Sequence, residues 1–296
     1  MADATARRLT MPSARDPLPG PDLLLPELLP LLREFCVGEC GIALGGSHAK
    51  ARADEHSDVD LYLFARAVLP GGERARRVRE ALGDASAPVS WGADEPFVQS
   101  GTDFVHRGVR IECWMRSADE VERAIAAALR GEITREHVYW TTMGFFRHVV
   151  LADVHAMRVV EDPSGTLARW KEAVAAYPDP LRDAILRRFM AEARFWPGNP
   201  HYESAIERRD VLYTSGIVQL VLHALVQVVF ALNRVYFPGE KRLAAALDLL
   251  PLQPPGFTRR AEALVCVPAD PSVDVLRAQA RDLAALVAHV DRLAHD

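Results

Sequence analysis

Two acids spaced two apart, Asp58 and Asp60 in Ser57-Asp58-Val59-Asp60-Leu61, follow a Gly45-Gly46-Ser47 turn by about ten residues. Residues 58–64 read as a strand, with Val59, Leu61 and Leu63 alternating against Asp58, Asp60 and Tyr62. Side chains at i and i+2 of a strand leave the same face, so both carboxylates are expected at one spot. There they repel each other unless a cation lies between them. Hard divalent cations take oxygen ligands, and Mg²⁺ usually arrives with a nucleotide's phosphates attached. The pattern is that of a phosphate-and-metal site.

Pattern and punctuation predict the elements that must hold these residues. Residues 23–35 look helical, although Pro26 and Pro30 complicate the first turns. Residues 41–44 form a short apolar strand running into the glycine turn, and 48–53 offer one or two helical turns. Gly71-Gly72 marks the entry to a basic helix over 73–82. Strands dominate from Val89 to Met115, and Arg107-Gly108 between 102–106 and 109–115 signals a hairpin. Ser117, with Glu120 three residues on, makes a capping box for a helix over 118–130.

After about Gly131 strand signals almost vanish. Apolar-periodic segments follow over 136–150, 167–176, 180–195, 204–237, 241–250, 257–265 and 272–294, separated by Pro- and Gly-rich breaks. The expected fold class is α+β, in three parts. A flexible tail spans 1–20, an α/β domain with a small mixed sheet spans 21–131, and an all-α helical bundle spans 132–296.

Composition narrows the class. A chain of 296 residues is long enough for two ordinary cores, and 49% apolar with 25% charged residues is the balance of a soluble globular protein. A net charge of −5 speaks against a general nucleic-acid binder. Cys36 and Cys40 lack a second pair at metal-ligand spacing, so reduced thiols in a cytoplasmic protein are expected rather than a zinc site. No apolar signal-peptide core is read near the N-terminus. The most hydrophobic run, 217–232, is interrupted by Gln219, His223 and Gln227 and is shorter than the ~20 residues of a membrane span. A buried central helix is expected, and no membrane partner.

The string Gly46-Ser47-His48-Ala49 … Ser57-Asp58-Val59-Asp60-Leu61 resembles the signature of the DNA polymerase β-like nucleotidyltransferase superfamily. The order of an α/β part and then a helical part is similar to the adenylyltransferases that modify streptomycin and spectinomycin. The chain departs from many members at Ala51 and Arg52, where they carry a glycine. The resemblance implies roles by position. Gly46 and Ser47 would hold the β- and γ-phosphates, and Asp58 and Asp60 would bind Mg²⁺, with two ions expected and ATP as co-substrate. Glu112, in Val109-Arg110-Ile111-Glu112-Cys113-Trp114, would complete the metal site or act as general base. Lys241 matches a triphosphate-binding lysine at the start of a helix, while Asp210, Tyr213 and Asn233 would border an acceptor cleft. The implied reaction is attack by a hydroxyl of a small molecule, aminoglycoside-like or biosynthetic, on the α-phosphorus, releasing pyrophosphate. Alternatives are adenylylation of a protein side chain and a non-catalytic nucleotide-sensing module. Monomer and dimer both stay open.

Plainer readings stand beside these. Glu112 could simply pair with Arg110 or Arg107 on the surface, with Asp103 and Asp94 as substitute acids. Lys241 could be solvated, and His48 could be a local cap. His223 reads as a satisfied core histidine, and Trp91, Trp114, Trp140 and Trp196 as core packing. Arg74, Arg76, Arg77 and Arg79 read as a solvated helix face.

Overall fold

The computed structural model describes residues 18–50, 53–54, 57–92, 100–138 and 141–295. Positions 1–17 of the tail, Ala51, Arg52, Asp94 and Trp140 lie outside the described residues. In chain order the first elements are α1 (Pro21–Arg33), β1 (Cys40–Leu44), α2 (Gly46–Ala49), β2 (Val59–Ala65) and α3 (Gly71–Leu82). They are followed by β3 (Val89–Trp91), β4 (Ser100–His106), β5 (Val109–Ser117) and α4 (Ala118–Leu129). Then come β6 (Arg135–Glu136), β7 (Phe145–Phe146), α5 (Val149–Ala156), β8 (Arg158–Glu161), α6 (Thr166–Ala173), α7 (Asp179–Phe195) and α8 (Pro200–Glu207). The chain finishes with α9 (Val211–Leu232), α10 (Leu243–Leu247), α11 (Phe257–Val265) and α12 (Val273–His295).

Six strands make one mixed sheet in the order β3-β4-β5-β2-β1-β8. Among the described residues only the β2–β5 pair is parallel; the other neighbours run antiparallel. Alternation along β2 divides the residues between two cores. Val59, Leu61 and Leu63 pack with Leu24, Leu28 and Leu32 of α1 and with Val78 of α3. Tyr62 and Phe64 turn the other way, into the cluster shared with α4, α5, α6 and the later helices. Asp60 has their parity and so faces the helical part. The β4–β5 hairpin turns at Arg107-Gly108, both with positive φ, +50° and +81°, as a type I′ turn requires. Ser117 caps α4 by accepting the Glu120 N–H.

The observed α+β architecture is the expected class, with three differences after Gly131. The stretch 136–150 is not a helix: it holds the short β6–β7 pair and only the start of α5. Gly144 at φ +92° stops any helix there. Secondly, β8 joins the main sheet beside β1, Ala43 opposite Val159 and Leu44 opposite Arg158. The last strand of the sheet therefore comes from beyond the expected boundary. At 204–237 two helices replace one, broken where Arg209 takes φ +57°.

Among the described residues one helix, α9, is long and apolar enough to cross a membrane, and its most apolar window is 72% buried within the fold. It packs on α7, α8, α11 and α12, and burial nearly all round from Val221 to Leu232 explains how apolar that half is. All four cysteines are free.

Candidate functional site

The parallel β2–β5 register sets Asp60 beside Glu112, and the antiparallel β4–β5 register sets Asp103 on the other side of Glu112. Three carboxylates thus lie in a row across neighbouring strands. Asp58 stands just ahead of β2, near Glu112. Burial foremost, then a proton shared with the Asp58 carboxyl and repulsion from its charge, push the Glu112 carboxyl up to about 7. Burial likewise pushes Asp60 up to about 6, assisted by the charges of Asp58 and Asp153 and opposed by Lys50 and Lys241.

The turn before α2 closes over Asp60. The Gly45 N–H donates to the Asp60 carbonyl at 2.8 Å. Gly46 has φ +56°, and a Cβ there would stand 1.6 Å from Asp60 Oδ2. A Cβ on Gly45 would stand 2.2 Å from Tyr62 Cζ. Both positions need glycine because other side chains already fill the space. Ser47 Oγ is buried with no hydrogen-bond partner. Behind Tyr62, the buried Arg116 guanidinium lies 4.6 Å from the ring centroid and pairs with Asp153 of α5 at 2.8 Å. A charge from the helical part is thus built against the glycine turn through Arg116 and Tyr62.

The remaining candidates divide. Lys241 lies in the turn before α10 and is one of two lysines whose charge lowers the proton affinity of Asp60. Asp210 caps α9 by accepting the Tyr213 N–H at 3.2 Å, and Tyr213 is exposed at that same end. Asn233 sits at the opposite end, about 33 Å away for 22 residues of helix. Its amide holds the Val229 and Leu252 carbonyls and the Leu252 N–H. These three residues cannot border one small cleft, because the length of α9 separates them; Asp210 and Asn233 serve as its caps.

Several plain readings also change. Glu112 does pair with Arg110, at 3.0 Å, but the same guanidinium also reaches Asp103 at 3.2 Å. Arg74 is not solvated: it is 2% exposed and donates to Thr102 Oγ1, the Leu69 carbonyl and the Gly101 carbonyl. His223 is half-buried against Phe146 and Phe237, yet its Nε2 has no hydrogen-bond partner. Trp91 and Trp114 meet edge-on at 4.7 Å, with Trp91 Nε1 donating to Asp103.

Sequence reasoning missed Asp153, Lys50 and Glu240. Asp153 had a signal, a lone acid within the apolar run Val149-Val150-Leu151-Ala152 and Val154. Glu240 matters because it accepts from three donors across a loop, as described below, and no local pattern encodes that.

Among the described residues no three His, Cys, Asp or Glu side chains already surround one point as metal ligands do. The donor set nevertheless suits a hard cation: carboxylate oxygens whose mutual repulsion is relieved by protons, beside an unpartnered hydroxyl. A groove of about 400 Å³ between α11 and α12, lined by Leu264, Val267 and Gln279 among others, includes none of these acids.

Residues 145–243 match a family described as a domain of unknown function, DUF4037. That stretch runs from β7 to the start of α10, and contains Asp153, Glu240 and Lys241 but none of Asp58, Asp60 and Glu112. No curated protein matches the chain. Among solved structures, a nucleotidyltransferase-like protein from Exiguobacterium sibiricum 255-15 is similar over 93% of this chain and 74% of its own, at 12% identity and a TM-score of 0.45.

Proposed function

We propose that this protein is a Mg²⁺-dependent nucleotidyltransferase that moves a nucleoside monophosphate, AMP from ATP, to a hydroxyl of a small-molecule acceptor. One observation carries the reading: Asp60 and Glu112 stand side by side on parallel strands, with Asp58 just ahead of Asp60 and a glycine turn closed over Asp60. Carboxylates raised to about 6 and 7 are costly to keep ionised without a countercharge, which is what a divalent cation provides.

Asp58 and Asp60 would hold the metal, which when bound neutralises developing charge on the phosphates. The Gly46 backbone and the Ser47 hydroxyl would receive the terminal phosphates, and Lys241 would pair with their charge. With an acceptor hydroxyl in place, Glu112, beside Asp60 on the neighbouring strand, would take its proton as general base. The new O–P bond forms at the α-phosphorus as the bond to pyrophosphate breaks, and the hydroxyl proton passes to Glu112. Orienting the two reactants accounts for much of the rate.

The test is pyrophosphate release from ATP and Mg²⁺ across a library of hydroxyl acceptors, with mass spectrometry for the added AMP. Asp60→Asn should lower turnover by about 10³-fold or more, on the scale of losing one preorganised charge contact. An Asp60→Asn protein as active as the natural one would falsify the proposal.

A further inference from the structure

Lys241 lies on an exposed turn, a poor place for a side chain that must meet a phosphate in one geometry. What fixes the turn is its neighbour. Glu240 Oε2 accepts from the Thr142 N–H and the Thr142 hydroxyl, each at 2.8 Å, and Oε1 accepts from the Met143 N–H at 2.9 Å. His223 Nε2 lies behind the same carboxylate at 3.9 Å. Charge-assisted bonds to three donors define a carboxylate's position far better than one exposed ion pair does.

The backbone on either side is held in left-handed conformations, Gly239 at φ +97° and Arg242 at φ +54°. Arginine adopts such a φ only where its surroundings impose it. The turn carrying Lys241 is therefore bent at both ends and fastened in the middle. We infer that Glu240 is a positioning residue, which ties this turn to the 142–143 segment so that Lys241 is presented to the triphosphate. The inference rests on the nucleotidyltransferase reading, since it gives Lys241 its partner.

The experiment is calorimetric titration of the full chain with Mg²⁺ and α,β-methylene-ATP, which cannot be cleaved at the α-phosphorus. The variants are Glu240→Ala, Glu240→Gln, Lys241→Met and the Glu240→Ala/Lys241→Met double variant. Lys241→Met is expected to weaken binding about tenfold or more, and Glu240→Ala by a similar factor. Glu240→Gln should recover part of the loss, because its amide oxygen still accepts. The double variant should bind no more than about twofold weaker than Lys241→Met alone. Glu240→Ala binding like the natural protein, or losses that multiply in the double variant, overturns the inference.

Amide exchange in the absence of nucleotide gives an independent reading. At Thr142, Met143 and residues 239–243 it should quicken about tenfold or more in Glu240→Ala. If the natural protein binds no nucleotide, the proposed function falls. Exchange then decides the tethering by itself, and unchanged rates overturn it.

Discussion

Replacing Gly46 with alanine should cost the fold about 2–5 kcal/mol, and most of the excess should disappear when Asp60 is alanine too. Two separable penalties act at this position. The first is conformational: φ of +56° is left-handed, which costs a residue with a Cβ roughly 1–2 kcal/mol. The second is steric. The new methyl would lie 1.6 Å from Asp60 Oδ2, 2.5 Å from Cγ and 3.0 Å from Cβ. The carboxylate would have to withdraw by roughly 2 Å, an overpacking that typically costs ~1–3 kcal/mol.

Asp60→Ala removes the two nearest atoms and leaves only the 3.0 Å contact, which a small shift relieves. In that background Gly46→Ala should cost only the conformational ~1–2 kcal/mol. The assay is urea unfolding of the four proteins of the cycle, followed by circular dichroism, with the coupling energy taken from the midpoints. Equal losses in both backgrounds would refute the reasoning. Glycine would then be needed for its φ alone, and the turn would not be shaped around Asp60.

Without divalent cation, stability should fall as pH rises from about 4 to 7. Asp60 and Glu112 have folded-state pKa values raised to about 6 and about 7 from 3.8 and 4.5. Their contribution is complete below about pH 4 and is lost as pH climbs through those folded values. Melting curves of Glu112→Gln and the natural protein should converge near pH 4 and separate by pH 8, with the variant more stable by on the order of 1–2 kcal/mol once solvent screening is allowed for. A variant less stable at pH 8 would contradict this. Arg74→Met should destabilise by about 2–4 kcal/mol, because it strips partners from Thr102 and two carbonyls within the fold. A urea midpoint like that of the natural protein would return Arg74 to the solvated face.

What the sequence made legible follows the range of the forces involved. The Asp58–Asp60 pair and the glycine turn were readable because strand alternation and turn chemistry act over a few residues. That Asp60 lies beside Glu112 depends on the parallel register of two distant strands, which no local spacing encodes. Arg74 and Arg76 are two residues apart in one basic run, yet Arg74 enters the core while Arg76 pairs with Glu73 and Glu80 at the surface. Helix phase decides between them, and the charge run hides it. The strand β8 offered only Val159 and Val160 between two charges, too little apolar pattern to mark an edge strand. Lys241 was visible as an oddly placed cation, but Glu240 was not, because its partners at 142–143 adjoin it only in the folded chain.

That edge strand has a consequence for the order in which the molecule can form. During synthesis β1 emerges early, but the strand that covers its outer edge is not made until Glu161. At ~5–20 residues per second, the stretch from Ser117 to Glu161 leaves that backbone edge unpaired for on the order of seconds. The nascent α/β part must pass that interval with a pairing-competent border exposed to other chains. A fragment ending near Gly131 would keep it exposed permanently. The acids therefore belong to a sheet that is sealed only after translation has entered the helical half.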